Sequence, residues 1–166
     1  MNDVRAAGIL EALKDQLRRA MEGPAWHGPS VREALEGITA AEAAQHPVTG
    51  AHGCWELVLH LSGSYHLVLR RLEGDAAPFL PYEDWPPMPS LTEENWQRDM
   101  TSLYALNARM QAAVRAFPIE HLFEPIVDDP PYPAFTQFIG LTQHDLYHAG
   151  QIVLLKRALR HHVNAT

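Results

Sequence analysis

The sequence predicts an all-α protein, a four-helix bundle with long connecting loops. Three observations carry this expectation. All 13 prolines fall in four short zones. The apolar residues between those zones recur at steps of three and four, and no window alternates with the period of two that a half-buried strand requires. Proline removes a backbone donor and clashes with the preceding turn, so the zones 23–30, 46–53, 73–90 and 118–135 separate helices.

The first helix, at about 3–21, is marked by Leu10, Leu13, Leu17 and Met21 on one face. One or two short helical turns follow in about 30–45, where Ser30-x-x-Glu33 and Thr39-x-x-Glu42 offer a hydroxyl and a carboxylate to the free amides of a first turn. A second long helix is expected at about 54–72 and a third at about 91–117, the latter with Ser90-x-x-Glu93 at its start. Trp96, Met100, Leu103, Met110, Val114 and Phe117 form the stripe of the third helix, with Asn107 filling the remaining place. The last helix, at about 134–161, presents Leu141, Ile152, Leu155 and Leu159. The connections 73–90 and 118–135 both exceed the roughly 12–15 residues beyond which unstructured loops become uncommon, and their aromatics are candidates to line or cover a pocket.

A chain of 166 residues is the size of one domain. No stretch approaches the ~18 apolar residues of a membrane span, and the N-terminus lacks the pattern of a secretory signal, so a cytoplasmic protein is expected. Thirteen Lys plus Arg against 20 Asp plus Glu give a net charge of −7, which disfavours binding to nucleic acid. The single cysteine, Cys54, rules out an internal disulfide and a multi-cysteine zinc site.

Ten histidines remain to be placed. His144 and His148 stand four residues apart on the last helix, on one face and one turn apart, close enough to share an ion. Their core neighbours Leu141, Ile152 and Leu155 direct them into the bundle. Two imidazoles leave a divalent ion's shell incomplete, and the second helix offers His60 on a face otherwise made of Leu57 and Ser64, with Gly63 and Ser64 leaving room beside it. Three inward histidines from two helices leave a coordination position for water or substrate, as catalytic sites do. The competing reading is a hydrogen-bonded core pair or a solvated helix face.

His66 lies on another face of the second helix, and His27, His46, His52, His121, His161 and His162 read as surface residues. The string His144-Asp145-Leu146-Tyr147-His148 departs from the zinc-protease pattern H-E-x-x-H, because aspartate is a methylene shorter and no Glu or His on another element follows downstream. Asp145 and Gln151 are read as candidates to orient the ligating imidazoles through their second N–H. Tyr147 is read as a core or interface aromatic whose hydroxyl could reach a ligand, and Trp55 as a packing aromatic.

With these residues in place, the chain resembles the DinB/YfiT-like family of small metalloenzymes. The likeness rests on Trp55-Glu56-Leu57-Val58-Leu59-His60 and on His144-Asp145-Leu146-Tyr147-His148-Ala149-Gly150-Gln151-Ile152, with a looser match over most of the chain. It implies a four-helix bundle of unusual topology, a metal triad at His60, His144 and His148, zinc or nickel as the ion, and a homodimer. Some members of the family resemble thiol-dependent enzymes using bacillithiol or mycothiol, which makes a low-molecular-weight thiol a candidate cofactor. The expected function is therefore metal-dependent transfer or hydrolysis of small molecules. The alternatives are a non-catalytic metal-binding stress-response module and a dimeric helical scaffold without an ion.

Overall fold

The computed structural model describes residues 3–163, and the side chains of 8–160. The elements are α1 (Asp3–Glu22), α2 (Val31–Leu35), α3 (Ala40–Ala43), α4 (Cys54–Leu72), α5 (Pro81–Asp84), α6 (Glu93–Ala116) and α7 (Ala134–Val163), with a 3-10 turn at Ile119–His121. Among the described residues there is no β-strand, only an isolated bridge between Pro125 and Pro133. The four long helices form the expected bundle. Each of α1 and α4 packs against both α6 and α7, so the pairs adjacent in sequence, α1 with α4 and α6 with α7, lie on the diagonals. Diagonal neighbours cannot be joined by a tight turn, which accounts for two of the long connections.

The apolar stripes meet in one core. Leu10, Leu13, Leu17 and Met21 of α1 are buried, as are Trp96, Leu103, Met110 and Val114 of α6 and Leu141, Ile152, Leu155 and Leu159 of α7. Asn107, in the polar gap of the α6 stripe, is fully buried and donates through Nδ2 to the Leu17 carbonyl and the Tyr65 hydroxyl. Two indoles make long-range bonds, one tying the segment between α2 and α3 to α6 and the other tying α4 to α6. Trp96 donates to the Ile38 carbonyl at 2.8 Å, and Trp55 donates to Asp99 at 2.9 Å.

The capping boxes of Ser30 with Glu33 and Thr39 with Glu42 form. The one expected at Ser90 does not. Thr92 caps α6 instead, its hydroxyl accepting from the Asn95 amide, while the Glu93 carboxylate accepts from the Ala40 amide and ties α6 to α3. A long-range partner for Glu93 outcompetes the local one. No helix of the described residues is long and apolar enough to cross a membrane.

Candidate metal centre

Helices α4 and α7 pack side by side, and their facing surfaces carry the three histidines. Residue 53 is the hinge into α4, where the Glu56 carboxylate accepts from the Gly53 amide at 2.7 Å and starts the helix. His60 follows two turns later, buried beside Leu57 and Leu61. On α7, the i, i+4 spacing sets His144 and His148 one turn apart on the same side.

The rings converge through their Nε2 atoms. His144 Nε2 stands 2.9 Å from His60 Nε2 and 3.0 Å from His148 Nε2. The ligand atoms of all three lie within 4.8 Å of one another. Nitrogens bound tetrahedrally at 2.0–2.1 Å from a zinc-sized ion are about 3.3 Å apart, so a slight opening of the rings accommodates one.

The far sides of two rings determine what the near sides can do. His60 Nδ1 faces the Asp84 backbone carbonyl at 2.8 Å and its carboxylate at 2.9 Å, and His148 Nδ1 faces Gln151 Oε1 at 2.7 Å. All three are acceptors, so Nδ1 carries the proton and both Nε2 lone pairs point inward. Burial lowers the pKa of His144 to about 4, with the imidazoles of His148 and His60 adding to the effect. Burial lowers that of His148 as well, against its bond to Gln151. These two rings are therefore neutral at physiological pH, the form that binds metal. The donor set, its tautomers and its spacing fit a divalent ion.

The acceptor behind His60 is held by a segment docked closely on α4. A Cβ on Gly63 would stand 2.3 Å from the Glu83 carbonyl, so only glycine permits this approach. Pro81 begins α5, and the Glu83 carboxylate accepts from the Leu80 amide. Arg70 of α4 binds Glu83 at 2.7 Å and the carbonyls of Ala77 and Pro78. Asp84 thereby reaches His60, and Trp85 lies flat on the same ring, centroids 4.0 Å apart and planes within 2°. The other face of Trp85 stacks on His52 at 3.6 Å. In front of the histidines opens a cavity of about 610 Å³, bounded by the segment 48–52, Trp85 and one side of α7.

A family model for the DinB superfamily matches residues 25–152. The chain belongs to the DinB superfamily. All three histidines and the docked α5 segment fall in the matched range. No curated protein and no solved structure matched the chain in the comparisons.

Within this DinB domain the other candidates separate. Gln151 lies behind His148, where a residue that orients an imidazole is expected. Asp145 does not lie behind any of the three rings. One residue on from His144 is a rotation of about 100°, which turns Asp145 into the bundle, where it is fully buried and accepts from the Tyr65 hydroxyl at 2.6 Å. Burial raises the pKa of its carboxyl to about 8, although the Tyr65 bond opposes this.

The carboxylate backing the site is Asp84, for which the sequence offered no signal beyond its place beside Trp85 in a long loop. His52 lies at the surface, as expected, half exposed and with Nδ1 3.4 Å from Glu56, and it also forms a wall of the cavity. Tyr147 is not a core aromatic but stands at the cavity mouth, 65% exposed, the placement under which its hydroxyl can reach a ligand. Trp55 packs, as expected.

His27, His46, His66 and His121 are exposed, and the side chains of His161 and His162 lie outside the described residues. Of the two long loops, 73–90 covers the site, but 118–135 does not line its cavity. Leu122, buried in the core, and the backbone pairing of Phe135 with Leu122 hold that loop along the bundle elsewhere. Cys54 is buried and its thiol is pushed up to about 12, which leaves it no nucleophilic role.

Proposed function

We propose that this DinB protein is a metal-dependent enzyme acting on small molecules, with one zinc or nickel ion held by His60, His144 and His148. The observation that carries the reading is the inward convergence of three Nε2 atoms, two of them fixed as lone-pair donors by Asp84 and Gln151, at the floor of an open cavity. A purely structural ion would be closed off by a fourth protein ligand, and among the described residues no fourth histidine, cysteine or carboxylate joins the cluster. A divalent ion bound there supplies a Lewis acid that lowers the pKa of a water or thiol entering its free position.

The chain's own groups do the rest. Asp84 and Gln151 hold the imidazole tautomers, Trp85 clamps the His60 ring, and the apolar walls offer a surface to the body of a substrate. Transfer to or from a thiol and hydrolysis are the reaction classes this supports, and a homodimer belongs to the same proposal. The test is a panel of hydrolysis and thiol-transfer substrates assayed with loaded protein, with chelated protein and with His148→Ala. Turnover that disappears on chelation and in His148→Ala supports the proposal. A blank panel in which chelation still lowers the melting temperature assigns the ion a structural role instead.

A further inference from the structure

The walls of the cavity identify a class of ligand. Val48, Leu57, Trp85, Tyr147, Leu154 and Leu155 make most of its surface, and no lysine or arginine among the described residues lines it. Apart from the three histidines, its polar groups are the side chains of His52 and Gln151, the Tyr147 hydroxyl and the Trp85 N–H, all uncharged or weakly basic. His52 is engaged against Trp85 and beside Glu56, and Gln151 with His148, while the Tyr147 hydroxyl at the mouth offers one neutral hydrogen-bonding group and no cation. The charged side chains that touch the histidines of the site and its wall are carboxylates. Asp84 lies behind His60, and Glu56 is shared by His46, His52 and the Gly53 amide. Beyond the one donor atom that an ion on the three histidines would take, a ligand bearing several carboxylates or phosphates would surrender their hydration without gaining an ammonium or guanidinium partner, and would face these two acids. An apolar or aromatic body gains by leaving water, and about 610 Å³ is room for a molecule of modest size.

We infer that the cavity selects an uncharged small molecule with an apolar or aromatic body and one donor atom directed at the three histidines. This inference rests on the metal-dependent reading above and narrows it. A polyanionic thiol is the ligand that the walls disfavour.

The test loads the protein with cobalt(II) and follows its visible absorption during titration with three thiols. These are phenylmethanethiol, mercaptosuccinate and the dimethyl ester of mercaptosuccinate, the last two differing only in charge. The diacid has extra oxygens with which to chelate, which weights the comparison against the inference. The expected result is that phenylmethanethiol and the diester each bind at least about tenfold more tightly than the diacid.

Leu154→Lys places a cation on the exposed rim, where Leu154 is 64% exposed. With cobalt content measured in parallel, it should reduce the gap between diester and diacid several-fold. Equal or tighter binding of the diacid by the unmodified protein overturns the inference and leaves the metal reading standing. Failure of cobalt to bind at all overturns both.

Discussion

Helices α4 and α7 carry two polar clusters, side by side, with opposite designs. In one, His60, His144 and His148 aim lone pairs at a common point beneath an open cavity, and their outer nitrogens are backed by acceptors. In the other, only one residue further along α7 and five along α4, Asp145 and Tyr65 join Asn107 of α6 in a sealed chain that ends on the Leu17 carbonyl. The sealed cluster uses most of its polar capacity internally, with Asp145 Oδ1 the one buried atom left without a partner. The open cluster leaves its donors for something else. What distinguishes a site from a structural network here is the direction in which unused lone pairs point, since both clusters are buried and both contain titratable groups.

The sharpest way to break this contrast is to remove a ligand. His60→Ala should abolish retention of metal at micromolar concentrations, as measured by elemental analysis after dialysis, while apo protein stays folded by circular dichroism. A variant that keeps its metal would show that His60 belongs with the structural cluster.

Next in size is Gly63→Ala. A methyl 2.3 Å from the Glu83 carbonyl must push α5 away from α4, which is expected to cost about 1–3 kcal/mol of stability and to weaken metal binding by withdrawing Asp84 and Trp85 from His60. Thermal melts and a competitive chelator titration read the two effects separately. Asp84→Ala removes only the carboxylate and leaves the backbone carbonyl facing His60 Nδ1. Its metal affinity should fall about 10-fold, the lower end of the range for groups that orient ligands, with the melting temperature of the apo protein little changed.

Tyr65→Phe tests the other side of the comparison and should leave the metal almost untouched. It takes one of two acceptors from the Asn107 amide and the hydroxyl donor from the Asp145 carboxyl, which is expected to cost about 1–3 kcal/mol and to lower Tm by several degrees, with metal affinity unchanged. A loss of affinity comparable to that of Asp84→Ala would mean that the two clusters are coupled.

The sequence made the bundle and the three histidines legible because both depend on helical periodicity. Leu10 to Met21, Trp96 to Val114 and the His144/His148 pair all repeat on one face, and local spacing is enough to orient them. What stayed hidden depends on how loops fold back. Asp84 and Trp85 sit in a proline-rich connection whose docking is set by Gly63 and Arg70, a contact between chain segments that no periodicity records. The part His52 plays in the cavity was hidden for the same reason, since it arises from stacking on Trp85. Asp145 was misplaced because its neighbourhood to His144 in sequence concealed a rotation of about 100° around the helix. Ser90 lost its role as a cap to Thr92 because Glu93 found a partner in α3.

The central claim is tested most directly by measuring the metal content of untagged protein after incubation with zinc or nickel and removal of excess ion. The account predicts close to one ion per chain in the unmodified protein and close to none in His148→Ala. A content near zero in the unmodified protein, or an equal content in both, would contradict it.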